Sequence, residues 1–293
     1  MKNNLVLLIL FVIFFTSCEK VIVVKLDEGA SQLAIDAFLN NKQGAQKIRL
    51  TKTSGYFNNA PSPAATGASV KITDNEGRVY NFTDVNNNGD YVWTPFPGDT
   101  LVRYFNSYTL SVTYSGEEFQ GSSIAYPSPF IDSVRYTTKQ ESGSGGSTTG
   151  EQGYFASFYA YDISGITNFY WIKTYKNGLF YSNPGNMNLS QDGAFAGGGS
   201  DGFLFIRPIR EAITPRDKPL VIGDSINVDI YAVTPETFFY LNEVLQQTTN
   251  GGLFATPPAN VSCNIKNVNP NSITKVVGWF NIGALSSNGI KVK

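Results

Sequence analysis

Apolar side chains fall into two patterns along this chain. From Leu5 to Phe15 they run unbroken, and from about residue 31 onward they recur in short stretches separated by turns. Leu33–Leu39 is the first such stretch, and Gln46–Lys52 alternates polar and apolar residues at period two, the repeat of a half-buried strand. Ala68–Thr73 alternates again, and Asp74-Asn-Glu-Gly77 supplies a hairpin turn. Val79–Thr83, Tyr91–Trp93 and Ser107–Tyr114 complete a first set, with Ser54 to Ala65 as a loop rich in Asn, Pro and Ala. Tyr126-Pro-Ser-Pro-Phe130 then reads as a boundary, since two prolines fix an extended link. A second set follows at Ile131–Thr138, Phe155–Tyr161, Asn168–Lys176, Phe203–Pro208 and Ser225–Val233, then Lys275–Ile282 and Gly289–Val292. One helix interrupts it. Thr234 is its N-cap, Pro235 its first residue, and Phe238, Leu241, Val244 and Leu245 form an apolar face before Asn250-Gly251-Gly252 stops the run. That face is expected to pack on the second set of strands. Short strands at regular spacing predict a mainly β protein of two β-sandwich domains of immunoglobulin or transthyretin type, 31–125 and 126–293, with one short helix near 235–249 in the second.

The first residues carry a different kind of signal. Met1-Lys2-Asn3-Asn4 is a short polar start with one positive charge, and the apolar run after it leads through Thr16 and Ser17 into Cys18. These are the parts of a secretory signal peptide, with a cysteine where small residues usually mark cleavage. The run is shorter than the roughly 20 residues a spanning helix needs. It resembles a bacterial lipobox, although Phe15 stands where leucine is usual. The resemblance implies removal of residues 1–17, acylation of Cys18 with a fatty acid such as palmitate, and a tether over 18–30. Val21 to Val24 in that tether could still pair as an edge strand.

Composition narrows the partners. The formal net charge is −1 and only 15% of residues are charged, so nothing suggests a nucleic acid or an anionic membrane surface. Aromatic residues make up 14%, which leaves solubility to Asn, Ser, Thr and Gly. With Cys18 lipidated, Cys263 stands alone and no internal disulfide can form; in Asn260-Val-Ser-Cys-Asn-Ile265 it reads as a buried small side chain.

Candidate chemistry is thin. The chain has no histidine, which excludes Ser-His-Asp and Cys-His catalysis and imidazole zinc sites. Two carboxylates could in principle hydrolyse a glycosidic bond, yet no pair stands in a recognisable motif. Asp84, Asn86, Asn88 and Asp90 place oxygens at alternate positions as the first half of a calcium loop does, but Pro95 occupies the position of the bidentate glutamate. A hairpin turn with Asn88-Gly89 at positive φ is the favoured reading. Gly193 to Gly202 is glycine-dense but lacks the Lys-Ser/Thr of a phosphate loop. Glu141 to Gly153 is Gly/Ser/Thr-rich and reads as a mobile loop. Asp99-Thr-Leu, Asp132-Ser-Val and Asp224-Ser-Ile each resemble the three-residue O-glycosylation site of some Gram-negative exporters. Tyr56 and Phe57, adjacent rings in a polar, proline-broken loop, are the best candidates for contacting a partner or ligand. No cofactor is indicated.

Several stretches together carry a family resemblance. Cys18-Glu-Lys-Val-Ile, Ser54-Gly-Tyr-Phe57 before Gly67-Ala-Ser-Val, Asn260-Val-Ser-Cys-Asn-Ile265 and Gly278-Trp-Phe280 look like the Gram-negative lipoprotein family called domain of unknown function 4249. Within it, Gly67 to Gly77 and Asn88-Gly-Asp-Tyr91 resemble the carboxypeptidase-regulatory type of immunoglobulin-like domain. The resemblance implies a non-catalytic outer-membrane lipoprotein at the cell surface, an accessory or ligand-binding partner of a TonB-dependent transporter. The other classes are a structural or adhesive surface module and, last, a two-carboxylate hydrolase.

Overall fold

A computed structural model describes residues 29–55, 58, 60–138, 153–183, 187–194, 199–251 and 259–293. Among these lie sixteen strands and two helices, so the protein is mainly β, as its pattern predicts. In the N-terminal half the strands are β1 (Leu33–Leu39), β2 (Gln46–Lys52), β3 (Ser69–Asp74), β4 (Val79–Phe82), β5 (Asp90–Trp93), β6 (Ser107–Tyr114) and β7 (Glu117–Ile124). They are followed by β8 (Ile131–Thr137), β9 (Phe155–Ala160), β10 (Phe169–Lys176), β11 (Leu179–Phe180), β12 (Asn188–Gln191), helix α1 (Arg207–Glu211) and β13 (Ser225–Ala232). Helix α2 (Pro235–Thr249), β14 (Ile265–Asn267), β15 (Val276–Ile282) and β16 (Leu285–Lys291) complete the order.

The first sandwich faces the sheet β15-β1-β2-β5 against β14-β7-β6-β3-β4. Ile35, Leu39, Ile48 and Leu50 of one sheet and Ile72, Leu110, Val112 and Phe119 of the other fill its core, all essentially without water contact. Each such side chain contributes about 1.5–3 kcal/mol by leaving water. The core tyrosines keep their hydroxyls satisfied: Tyr108 accepts from the Arg103 amide and donates to the Leu101 carbonyl, at 2.8 and 3.0 Å. The second sandwich sets β11-β10-β13-β16, with β12 on β10, against the β8-β9 pair. Phe158, Tyr170, Ile172, Phe205, Ile226, Val228 and Ile230 are central to its core.

The expected organisation needs correction in several places. The division into 31–125 and 126–293 fails at the C-terminal end, because β14 pairs with β7 and β15 pairs in parallel with β1. Ile265, Phe280 and Ile282 thereby belong to the first core. The cause lies in β1, whose edge would otherwise expose its amides and carbonyls. Phe203–Pro208 is not a strand: only Leu204 makes a bridge, to Tyr161, and Pro208 sits in the first turn of α1, where its missing N–H costs nothing. Strand β7 goes unseen in the apolar pattern because only Phe119 among its inward residues is large. Gly121, two residues on, lies close under Ile265, which a Cβ there would meet at 3.0 Å.

Helix α2 forms as its capping residues dictate. The Thr234 hydroxyl accepts from the Thr237 amide at 3.2 Å. It does not pack on the second sandwich alone, as expected. Phe238 meets Phe169 of β10 at 5.1 Å between ring centroids, while Tyr240 stacks on Trp279 of β15 at 4.3 Å and 11°. The helix bridges both sandwiches.

Candidate functional site

Alternation along the strands decides which side chains meet between the sandwiches. With Ile35, Ala37 and Leu39 turned into the first core, Asp36 and Phe38 point out of that sheet. Register places Asp36 level with Trp279 on β15 and Arg49 on β2, and Arg49 level with Asp90 on β5. On the second sandwich Tyr170, Ile172 and Thr174 face inward, so Trp171, Lys173 and Tyr175 face out, Lys173 level with Asp229 and Asp229 with Ser287. The two outer faces pack on each other. Phe38 sits edge-on to Trp171 at 5.7 Å, and the Tyr231 hydroxyl donates to the Leu39 carbonyl at 2.7 Å.

One end of this junction is closed by helix α2 and fully hydrogen-bonded. Asn281, with no water contact, donates to the Tyr231 hydroxyl at 3.0 Å. Its side-chain oxygen accepts from the Thr234 amide and the Thr237 hydroxyl, at 3.2 and 2.8 Å. Thr237 in turn accepts from the Trp279 indole N–H at 2.8 Å. Each member of the chain satisfies its neighbour, which is the condition for a buried polar network to hold a structure together.

The other end is open. A cavity of about 400 Å³ is walled by Asp36, Phe38, Lys42, Gln46, Lys47 and Arg49. A smaller one of about 120 Å³ shares Asp36 and Phe38 and reaches Tyr240, Gly278 and Trp279. Gly278 permits this approach: at φ +113° it passes so close to Ile35 that a Cβ would lie 1.9 Å from the Ile35 carbonyl oxygen.

Most charges at the open end are already matched. Lys42 pairs with the buried Asp229 at 2.9 Å, and Ser287 also donates to that carboxylate. Arg49 and Lys47 reach Asp90 at 2.7 and 3.5 Å. Asp36 and Lys173 feel opposite charges only at longer range. Among the described residues neither the Asp36 carboxylate nor the Lys173 ammonium makes a hydrogen bond or an ion pair. Lys173 lies instead in an aromatic box, 3.9 Å from the Trp171 ring centroid, 4.7 Å from that of Tyr231 and 5.9 Å from that of Phe38. Burial pushes its ammonium down to about 8, against the upward pull of Asp229 and Asp36. Burial likewise raises the Asp36 carboxyl, against Lys173 and Lys47. Asp36 nevertheless remains accessible to water. A group both crowded by protein and open to solvent is one that lines a recess.

The residues singled out in the sequence lie elsewhere. Cys18, Tyr56 and Phe57 fall outside the described residues, as do most of Glu141 to Gly153 and part of Gly193 to Gly202. Asp84, Asn86, Asn88 and Asp90 form a turn between β4 and β5, strands of different sheets, tied by one bridge, Thr83 to Val92. The two Asp84 oxygens accept the Asn88 and Gly89 amides at 3.1 and 2.9 Å, and Asp90 is turned to Arg49 and Lys47. The positive φ angles fall on Asn87 and Gly89, not on Asn88. Among the described residues no group of three or more Asp, Glu, Cys or His could hold a metal ion. Cys263 is half-buried against the first core, its thiol pushed up by burial. Asp224, of one glycosylation-like triplet, is a structural carboxylate held down at about 2 by Lys176, the Val221 amide and Asn177.

Over this same span, the family model described as Domain of unknown function (DUF4249) matches residues 19–288. The chain belongs to the DUF4249 family. No curated protein matches it. The match covers both sandwiches and the junction, so the cleft lies wholly within DUF4249. Sequence reading missed Asp36, Lys173 and Asp229 because a charge at an outward strand position is ordinarily a solvated one. The available signal was that such charges stand mid-strand beside aromatic residues, as in Phe169-Tyr-Trp-Ile-Lys173.

Proposed function

We propose that this protein is a non-catalytic outer-membrane lipoprotein, anchored at the cell surface through acylated Cys18, that binds a small ligand as accessory to a TonB-dependent transporter. The observation that carries the binding part is the open end of the junction, where Asp36 lines a cavity of about 400 Å³ and its carboxylate makes no hydrogen bond or ion pair among the described residues. Recognition is favoured over a two-carboxylate hydrolysis because Asp90 and Asp229, the other acids there, are committed to ion pairs. The anchor rests on the apolar run leading into Cys18, and the family match begins at the next residue, 19. The transporter rests on the family resemblance. The Tyr108 hydroxyl, bonded back to residues 101 and 103 from the start of β6, supports an immunoglobulin-like first sandwich.

Cys18→Ala should move the protein from the outer-membrane pellet to the soluble fraction, since acyl chains contribute about 0.8 kcal/mol per buried CH₂. The wild type, solubilised in mild detergent, should co-purify a β-barrel transporter in stoichiometric amount. Recovery of the protein without any barrel would overturn the transporter part.

A further inference from the structure

We propose that the loop joining β9 to β10 forms, with the end of β12, a calcium site whose oxygen ligands include Asp162, Asn168, Asp192 and Ser200. Three buried oxygens carry it. Among the described residues Asp162 Oδ2, Asn168 Oδ1 and Ser200 Oγ are shut from water and make no hydrogen bond. Their residues are only 6, 3 and 9% exposed, so solvent does not supply the missing partners. Buried polar atoms in folded proteins are nearly always bonded, and three exceptions in one knot of chain ask for something that binds oxygen.

The backbone gathers these residues. Asp162 follows β9, Asn168 precedes β10, and Asp192 follows β12, which pairs with β10. The Asn168 amide donates to the Asp192 carboxylate at 2.7 Å, and the Asp192 amide to the Asn168 carbonyl at 2.8 Å. The Asn168 side-chain NH₂ donates to the Ile163 and Ile166 carbonyls at 2.8 and 2.9 Å, which identifies its oxygen as the free atom. On the other side, the Asp162 amide donates to the Phe203 carbonyl at 2.9 Å, and the Phe203 amide to the Ser200 carbonyl at 3.1 Å. Gly193 lies between them. A Cβ on it would stand 3.6 Å from the Asp162 Cβ and 3.4 Å from the Ser200 carbonyl oxygen.

The chemistry of the donor set selects the ion. The Tyr170 hydroxyl takes the other Asp162 oxygen at 2.7 Å, and the Ile163 and Gly202 amides lie near that carboxyl without bonding to Oδ2. Asp192 sets a like charge against it, and neither aspartate makes an ion pair among the described residues. A buried water would satisfy the free oxygens but leave the two carboxylates opposed; a cation answers both. Every donor is an oxygen, which suits a hard cation and not a thiolate- or imidazole-seeking metal. Only two acids meet here, so neutral oxygens must complete the set, and Ca²⁺ accepts amide and carbonyl oxygens and waters among its roughly six to eight ligands. Mg²⁺ is smaller and dehydrates reluctantly, which disfavours it. An ion held here would fasten the β9–β10 loop to the end of β12.

Thermal unfolding and calorimetric titration of the detergent-purified full chain, first stripped with chelator, test this. CaCl₂ at about 10 mM should raise the melting temperature by several degrees, because an ion that binds only the folded state stabilises it. MgCl₂ and NaCl at matched ionic strength should do much less. Asp162→Asn keeps the shape but removes one of the two charges, and should weaken calcium binding by about tenfold or more. In chelator its melting temperature should be no lower than that of the wild type, since a crowded carboxylate is gone. Ser200→Ala, which removes a single atom, should weaken binding severalfold and leave melting in chelator unchanged; it carries the test if Asp162→Asn fails to fold. No calcium-dependent rise in the wild type, an equal rise with MgCl₂ or NaCl, or an undiminished rise in the folded variants would overturn the proposal.

Discussion

At the end of the junction covered by helix α2, Asn281 makes three side-chain hydrogen bonds and has no contact with water. A few residues away on the same two sheets, Asp36 and Lys173 make none, and Asp36 lines a cavity. Both ends belong to the same two sheet faces and both contain aromatic rings. They differ in whether the polar groups are matched from within. Matched groups hold the two sandwiches in one arrangement. Charges without a hydrogen bond or ion pair add less to that arrangement.

Three substitutions would break or sharpen the contrast. The largest effect is expected at Gly278, which brings β15 against β1 beneath both ends. Gly278→Ala adds a Cβ 1.9 Å from the Ile35 carbonyl oxygen at φ +113°, and should cost about 4 kcal/mol or more in urea denaturation. A loss under 1 kcal/mol would mean that the strands can separate freely there. Next comes Asn281→Ala at the closed end. It orphans the Thr234 amide and removes one partner each from Tyr231 and Thr237, for about 3–4 kcal/mol. If instead the variant unfolds like the wild type, the network is ornament and the contrast between the ends collapses.

The smallest effect has the opposite sign. Lys173 is depressed from 10.5 to about 8, so between those pH values the unfolded chain holds a proton that the folded chain has released. The group's contribution to stability therefore rises with pH through that window. Lys173→Met should flatten the rise between pH 8 and 10.5 and stabilise the protein at pH 7 by about 1–2 kcal/mol, a figure reduced because the residue keeps some water contact. Destabilisation by this variant would show that the ammonium is matched after all and belongs with the closed end.

Much of the architecture is legible in the chain. Leu33–Leu39, Gln46–Lys52 and Ser107–Tyr114 are strands with the bounds their patterns indicate, and Thr234 caps the helix at Pro235. These features are local: alternation, a cap and a proline act within a few residues, so the sequence determines them. Also local is the exclusion of histidine chemistry. Two things were decided only in three dimensions. One is the return of β14 and β15 to the first sandwich, since nothing in Val276–Ile282 says which open edge it will pair with. The other is the cleft. Asp36 and Lys173 lie 137 positions apart on outward faces, where each alone reads as a solvated charge. Only packing of one sheet face on the other crowds Asp36 and takes Lys173 largely out of water. Desolvation depends on neighbours distant in the chain, which strand periodicity cannot encode.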